Sequence, residues 1–553
     1  MKKRLLGALL AMATVSSLFA SASASDAKAA YTDVPESHWA HGEIMSCTEN
    51  GIFNGFPDES FRPSDVMTRE DAATAIKRQF KNTDFSAFLN SNDKKGAITR
   101  EEAAYLISKA KGYENSDELS LDKFSDKSEI SGEYKAEVSA AVSEGLILGH
   151  SDKTFRPKVT LTRGEFAVLL YRAVYGEEIL AERRAKAYDY MFKSTSLLWS
   201  PTEDILYTTQ KDVKPEEAKE NVQFTLHADR IYHGTPYSYA GGTSEAFLDY
   251  AIEQDENGVY LIDGLTWENI SGGSGNGRIG NDCSSVLLHA YGQLGETYNA
   301  TTTAYLTEKY GFLPVGNYKT VYDKYVDTGD IIKENGEQVI FRAYSRLKLA
   351  DAIVERISNS GHCRMVKEVK TVYLPDGTID GEKSTMTLID QAVGSYKREE
   401  TYFNEKLGQD VYKVGREETF NFATMASWKF IPITCRALID PAPIAKPAIT
   451  DTEKVFDKDA ILKGTLTCNW MMDCVTLDIA DAAGEAVQSA TAYVSRKKMY
   501  TSFDMQEFVT VNPALVRGSV DVNALEEGNY NCKVTVRLVT GEEITVRDFE
   551  FVK

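Results

Sequence analysis

Residues 31–80 and 124–175 repeat one pattern, and this self-similarity restricts the fold more than any other feature of the chain. In both, G-I/L-x-x-G (51–55 and 145–149) is followed by a turn, then by Phe-Arg-Pro (61–63 and 155–157). A Thr-Arg motif then opens an apolar-periodic stretch, beginning at Thr68 in the first copy and at Thr162 in the second. Between them, Ile98-Thr-Arg-Glu-Glu-Ala-Ala starts a further copy that has only its second half. Each threonine is placed to N-cap a helix, with acids in the first turn favoured by the helix dipole. Pro63 and Pro157 keep a helix from continuing upstream.

These motifs resemble S-layer homology repeats, closely so in the first and last copies. The resemblance implies a three-fold helical bundle: repeat 1 over 30–80, a degenerate repeat 2 over 81–115 and repeat 3 over 116–176. It implies binding of secondary cell-wall polysaccharide, often pyruvylated. Arg69, Arg100 and Arg163 of the Thr-Arg motifs would contact anionic sugar groups, since a guanidinium pairs bidentately with a carboxylate. Trp39 would stack on a sugar ring; Tyr134 stands near that place in the last copy, and copy two lacks the first helix. In the plainer alternative the arginines pair with helix-start acids and hold the bundle.

The chain has 553 residues, enough for about three to five domains at roughly 100–200 residues each. Its 82 acidic residues outnumber 62 basic ones, for a formal charge of −20. Such a balance repels phosphate backbones, so no nucleic-acid partner is expected. Seven cysteines are too few for a disulfide-stapled scaffold. Residues 1–29 read as a signal peptide: Lys2, Lys3 and Arg4, an apolar run Leu5–Ala13, and small residues offering cleavage after Ala24 or Ala29. That run is far short of the ~20 residues that span a bilayer, and no later segment is long and apolar enough. The expected location is outside the cell, at the wall or S-layer of a Gram-positive-type bacterium, with the repeats as anchor.

The chemistry-bearing residues lie between 177 and 440. Residues 177–222 are charged and read as helical. GTPYSYAGG (234–242) and a glycine-rich loop (271–280) precede NDCSS (281–285), after which Val286, Leu287, Ala290, Tyr291 and Leu294 keep helical spacing. Cys283 thus falls at a helix N-terminus, capped by Asn281 or Asp282, where the helix end lowers a thiol pKa and offers N–H groups to an oxyanion. His289 is about 240° around that helix and faces away. His362 opens a strand in GHCRMV (361–366), and the turn at Pro375-Asp-Gly-Thr returns a second strand, Thr385–Gln391. Asp390 or Gln391 at its end would orient the imidazole. Cys363, next to His362, is expected on the opposite face of the strand. No H-x-x-E-H or C-x-x-C spacing points to a metal, and no cofactor is expected.

Cysteine on a helix, histidine on a strand and a polar residue on the next strand resemble the NlpC-type cell-wall peptidases. These are papain-like hydrolases that cleave peptidoglycan stem peptides, commonly at γ-D-glutamyl-diamino acid bonds. The resemblance makes Cys283 the nucleophile, His362 the base and Asp390 the orienter, with Gln391 as substitute. Tyr237 or Tyr239 would line the pocket, with Asp282 and Ser284 as further substrate-binding residues. The chain departs from the pattern in D-C-S-S for D-C-S-G and in long insertions before Cys283 and between Cys283 and His362.

A proline-rich linker starts at Asp440, and the short alternating runs of 441–553 read as an immunoglobulin-like β-sandwich. Cys468, Cys474 and Cys532 lie there, and a disulfide between two of them is possible on sequence alone. The expected fold class is therefore multidomain: a helical bundle, an α+β papain-like domain and an all-β sandwich. Two functions fit. One is a wall-anchored cysteine hydrolase of stem peptides. The other is a non-catalytic surface-layer or adhesion protein that binds wall polymers.

Overall fold

The computed structural model describes residues 31–113, 118–150, 152–210, 213–239, 241–271, 279–297, 306, 311–320, 327–358, 360–392, 399–451, 466–493, 510–511 and 520–553. The signal-like stretch 1–29 and most of the glycine-rich loop 271–280 lie outside these residues. The chain divides into two compact units. The first takes in residues up to 114 with Glu129–Val138 and Arg156–Val174; the second takes in Asn115–Ser128, Ser139–Phe155 and Tyr175–Lys553.

The helices of the repeat region are α1 (His41–Glu49), α2 (Arg69–Gln79), α3 (Ser86–Ser91), α4 (Arg100–Lys111), α5 (Lys135–Ser143) and α6 (Arg163–Ser196). α2, α4 and α6 begin at the three Thr-Arg motifs. Thr68 accepts from the Asp71 N–H, and Thr99 with Glu102 forms a reciprocal capping box. Thr162 and Glu165 make the same exchange. Each cap contributes about 1 kcal/mol.

Within the first unit the residue before each threonine closes a three-membered backbone ring. Met67 N–H donates to Leu161 O at 2.9 Å, Ile98 N–H to Met67 O at 2.9 Å, and Leu161 N–H to Ile98 O at 3.0 Å. The arginines repeat the relation one layer out: the N–H groups of Arg69, Arg100 and Arg163 donate to the carbonyls of Gly96, Val159 and Asp65. The arrangement is three-fold in its hydrogen bonds, and the ring side chains are buried. Copy two, though lacking its first half, supplies a full third of this ring.

The turns of the long copies match atom for atom. Asp33 accepts the Phe61 N–H and Asp126 the Phe155 N–H, both at 2.8 Å. Glu59, Arg62, Lys153 and Arg156 all adopt left-handed backbone near φ 60°. A Cβ on Gly55 would lie 2.1 Å from a Tyr31 ring carbon, and one on Gly149 2.2 Å from a Phe124 ring carbon. The last glycine of G-x-x-x-G is therefore required by the aromatic ring that opens each copy.

α6 runs unbroken to Ser196, and the division between the two units falls within it, between Val174 and Tyr175. Gly176 does not stop it; Pro441 packs over this glycine, 3.3 Å from where a Cβ would sit. After Ser196 the chain is extended, not helical, because Trp199, Ile205 and Tyr207 are buried sheet residues. One six-stranded sheet has the order β11-β12-β4-β1-β6-β5, formed by Thr401–Asn404, Gln409–Lys413, Tyr232–His233, Leu198–Pro201, Tyr260–Ile262 and Ala251–Gln254. β2 (Ile205–Thr208) pairs with β3 (Gln223–Leu226) beside it.

The other six-stranded sheet positions the candidate site. Its order is β13-β10-β9-β8-β14-β7, formed by Gly415–Asn421, Thr385–Gln391, Ser360–Lys370, Ala352–Ile357, Ile431–Cys435 and Phe312–Pro314. All its neighbours are antiparallel. The helix Cys283–Gly292, here α9 after α7 (Ser244–Leu248) and α8 (Trp267–Ile270), lies buried along its whole length. Its Val286, Leu287, Ala290 and Tyr291 share one apolar core with Cys363, Met365, Leu388 and Ile389 of β9 and β10.

Beyond the proline-rich segment are two further sheets. β18-β17-β20-β21 comprises Ala486–Tyr493, Met472–Asp481, Asn529–Leu538 and Glu543–Val552. β15-β16-β19 comprises Ile449–Asp451, Leu466–Cys468 and Thr510–Val511. None of the seven cysteines forms a disulfide, so the possible bridge among Cys468, Cys474 and Cys532 is absent. The segment at 440 is not a free linker: Arg183 of α6 donates to the carbonyls of Asp440 and Ala442, both at 2.6 Å. The four-stranded sheet also reaches the earlier part of the unit. Asp473 accepts from Thr243 at 2.6 Å, and Arg537 joins Asp249 to Asp473.

Candidate cysteine–histidine–aspartate site

Cys283 is the first residue of α9. Asp282, rather than Asn281, caps the helix, accepting the Ser285 N–H at 2.7 Å. Ser284 donates to the same carboxylate at 2.9 Å. Asp282 and Ser284, expected beside a substrate, are buried and used in the cap. The cap turns the free N–H end of the helix toward the cysteine, where it favours a thiolate.

His362 lies near the start of β9, and its Nε2 is 2.5 Å from Asp390 Oδ2 on β10. With Nε2 so engaged, Nδ1 is the ring nitrogen left to face the Cys283 thiol, and each of the two groups favours the charged form of the other. Gln391 is elsewhere: its amide donates to the Thr235 carbonyl and hydroxyl, away from the imidazole. The adjacent residues Asp390 and Gln391 point to opposite faces of β10, as strand alternation requires. The structure therefore brings Cys283, His362 and Asp390 together and gives Gln391 a different partner.

Asp390 is held from its other side by Arg416 of β13. Arg416 Nε donates to Oδ1 at 2.9 Å and Nη2 to Oδ2 at 2.6 Å. Arg364 adds a charge contact, its Nε 3.3 Å from Oδ2. The Arg364 guanidinium also lies over the rings of Phe420 and Phe430, at 4.6 and 5.5 Å. Arg364 falls within GHCRMV but at a position the motif leaves open, and Arg416 lies in no motif. Arg416 could be found only by pairing β13 with β10, where it stands opposite Asp390.

Cys363 does not face away from Cys283. Its Sγ donates to the Cys283 carbonyl at 3.0 Å, and it is fully buried. Strand alternation holds: His362 and Arg364 meet Asp390 while Cys363 joins Met365 in the apolar core, and it is on that core side that the Cys283 backbone comes within reach.

The electrostatics are those of an ion pair. Hydrogen bonding from the Cys363 thiol is the largest influence on Cys283; with the His362 charge it outweighs burial and draws the thiol down to about 5. Burial opposes a charge on His362, but the Cys283 thiolate and Asp390 raise its imidazole to about 9. Burial likewise disfavours ionised Asp390, yet His362 and the two arginines hold its carboxyl well below the usual range. One fifth of the His362 side-chain surface remains exposed, so the pair is reachable from solvent. Such a thiolate can attack a carbonyl carbon, and such an imidazolium can protonate the leaving group.

Of the two tyrosines, Tyr237 is buried and senses the Cys283 charge, while Tyr239 packs edge-on against it at 5.8 Å and is partly exposed. Among the described residues no group of three His, Cys, Asp or Glu side chains is arranged to hold a metal.

The residues expected to touch wall polysaccharide have mixed placements. Arg69 is committed to Glu102, the capping glutamate of α4, through three contacts of 2.9–3.0 Å. Arg163 donates to the Phe61 and Asn54 carbonyls and lies over the Phe53, Phe56 and Phe61 rings. Arg100 is largely buried, and burial lowers its pKa. Trp39 is 63% exposed and lies beside the Gly164 backbone. Arg69 thus follows the helix-start pairing alternative, and Trp39 is the group free to stack.

The S-layer homology domain model matches residues 30–73 and 123–167. Similar curated proteins include cell surface glycoprotein 1 of Acetivibrio thermocellus, 28% identical over 150 residues, which are 26% of this chain and 5% of that one. The cellulosome-anchoring protein of the same organism is 28% identical over 145 residues, 26% of each chain. The surface-layer 125 kDa protein of Lysinibacillus sphaericus is 22% identical over 285 residues, half of this chain and 20% of its own. The chain thus spans about a quarter or less of these relatives' lengths. No helix among the described residues is long and apolar enough to cross a membrane. The chain carries two S-layer homology segments and is a cell-surface protein.

Proposed function

We propose that this protein is a wall-anchored cysteine hydrolase of the NlpC type that cleaves peptidoglycan stem peptides. The observation that carries this reading is the chain of contacts from Cys283 through His362 to Asp390, with the thiol lowered and the imidazole raised. The Cys283 thiolate attacks the amide carbon, and the oxyanion meets the N–H groups at the start of α9. His362 protonates the leaving amine, and water then hydrolyses the thioester. In this reading the sheet β13-β10-β9-β8-β14-β7 with α9 is the papain-like core, and the C-terminal sheets form an immunoglobulin-like module. Incubating the full chain with purified stem peptides and identifying products by mass tests it; intact peptides at every pH between 5 and 9 would overturn it.

A second reading is favoured by the relatives, whose printed names describe surface and anchoring proteins. Here the repeats bind secondary wall polysaccharide, with Trp39 stacking on a sugar, and the second unit binds wall peptide without cutting it. Retention on walls with no product formed would favour this reading.

A further inference from the structure

We propose that the cavity beside the edge strand β13 binds the C-terminal carboxylate of a short peptide, with Lys413 pairing the carboxylate and His233 meeting the end of the chain. The inference deepens both readings of the second unit, each of which places a wall peptide there. The cavity has a volume of about 340 Å³ and lies where the last turn of α6 meets strands β4, β11, β12 and β13. Phe192, Ser196, His233, Tyr402, Lys413 and Arg416 are among its walls. That volume is near the lower end for ligand pockets, roughly 300–1,000 Å³, and suits one or two residues rather than a polymer strand.

Two of these groups are left without the partner their chemistry asks for. His233 Nδ1 is buried and has no hydrogen-bond partner among the described residues, which is uncommon for a buried polar atom. Lys413 has no carboxylate at ion-pair distance among the described residues; its ammonium lies 5.8 Å from the Tyr402 ring centre. The other charges in the wall are already matched. Arg416 holds Asp390, Glu417 pairs with Lys367 at 2.6 Å, and Glu418 lies 3.7 and 3.8 Å from Arg416 and Arg364. One positive charge is therefore left over, which fits a ligand with one negative charge. Glu417 and Glu418 repel a second, which disfavours phosphate polymers and polyacidic sugars.

Burial, with the charge of Lys413 nearby, lowers the His233 pKa to about 4, so its ring is neutral at ordinary pH. A neutral imidazole accepts at a bare Nδ1 and donates from a protonated one. The end of a peptide offers both partners on neighbouring atoms, an amide N–H and a carboxylate oxygen, so either tautomer is matched. Tyr402, edge-on to His233 at 5.4 Å, and the exposed Phe192 give the terminal side chain an apolar flank. Arg416 forms part of the wall and also clamps Asp390, so the peptide end is anchored one guanidinium away from the carboxylate that meets His362.

The test is calorimetric binding of N-acetyl-alanyl-alanine and of its C-terminal amide to the full-length Cys283→Ala protein, with glucuronate as an acidic-sugar arm. The free acid should bind about tenfold or more tightly than the amide, the size of one charge-assisted hydrogen bond. Lys413→Met should bring the acid down to the level of the amide. His233→Phe, which keeps the edge-on ring contact, should also weaken the acid by roughly tenfold. Lys413 is partly exposed, so Lys413→Met should melt like the parent, and this variant decides the case if His233→Phe folds poorly. Equal binding of acid and amide, an acid affinity unchanged in Lys413→Met, tighter binding of glucuronate than of the peptide acid, or no binding of any probe would each overturn the inference. None of these outcomes bears on cleavage, because Cys283 is absent from the protein used. Failure of the hydrolase reading, seen as intact stem peptides with the unaltered protein, is a separate result.

Discussion

Asp390 is shared between His362 and Arg416: its Oδ2 lies 2.5 Å from the imidazole Nε2 and 2.6 Å from the guanidinium Nη2. One carboxylate oxygen therefore sets both the ring angle of the His362 imidazole and the charge balance behind it. Removing either neighbour changes what the other experiences, so the effects of substitutions here will not add.

Cys283→Ala and His362→Ala should each lower stem-peptide cleavage by roughly three orders of magnitude or more, and the double variant should be no worse than either. Steady-state rates on one purified stem peptide check this. Additive losses in the double variant would mean that the two groups do not act as a unit.

Asp390→Ala should lose less than Cys283→Ala, because an orienting carboxylate takes no part in the bond changes. Gln391→Ala should keep near-normal kcat but melt earlier, its loss leaving buried Thr235 oxygens without a donor, worth about 1–3 kcal/mol. The pair is read by kinetics and thermal unfolding on the same preparations.

Trp39→Ala and Arg69→Ala should separate binding from folding in the repeats. Trp39 is exposed, so its loss should weaken retention on isolated walls with little change in melting. Arg69 is 16% exposed at its side chain and paired with a still more buried Glu102, so Arg69→Ala should destabilise the bundle by about 3 kcal/mol. Equal retention by Trp39→Ala would remove the stacking role.

Asp473 gives a pH prediction. Burial raises its carboxyl to about 6 despite Arg537 and Thr243, against about 3.9 in an unfolded chain. The folded state then holds the extra proton between these values, so stability falls as pH rises through that window. Relative to Asp473→Asn, which does not titrate, wild type should lose up to about 3 kcal/mol between pH 4 and pH 7. Parallel melting curves across the pH series check the sign; a difference that is flat or rises would refute it.

Much of the architecture near the repeats could be read because local rules act there alone. Thr68, Thr99 and Thr162 cap helices, and the proline and glycine positions punctuate them as their chemistry requires. The start of α9 at Cys283 and the strand Thr385–Gln391 were legible for the same reason. The one-residue ambiguity between Asp390 and Gln391 needed the facing of β10, which depends on packing rather than composition. Arg416 and the contact of Cys363 with Cys283 were not legible, because their partners are brought to them by strand pairing and helix docking. The helical reading of 177–222 held to Ser196 and failed beyond it, because burial of Trp199, Ile205 and Tyr207 in a sheet is set by packing. Arg69 shows the converse limit: a motif that matches a binding repeat is also a sound ion pair.

The grip of Arg183 on Asp440 and Ala442, with Pro441 seated on Gly176, has a mechanical consequence. The strand that leaves the six-stranded core is fastened to the same helix by which the chain arrives. Tension applied between the chain before Gly176 and the chain after Ala442 is therefore borne first by this short clamp. The sheet that holds His362 and Asp390 is shunted out of the line of force. Pulling on the chain from both sides of this clamp therefore leaves the contacts among Cys283, His362 and Asp390 in place.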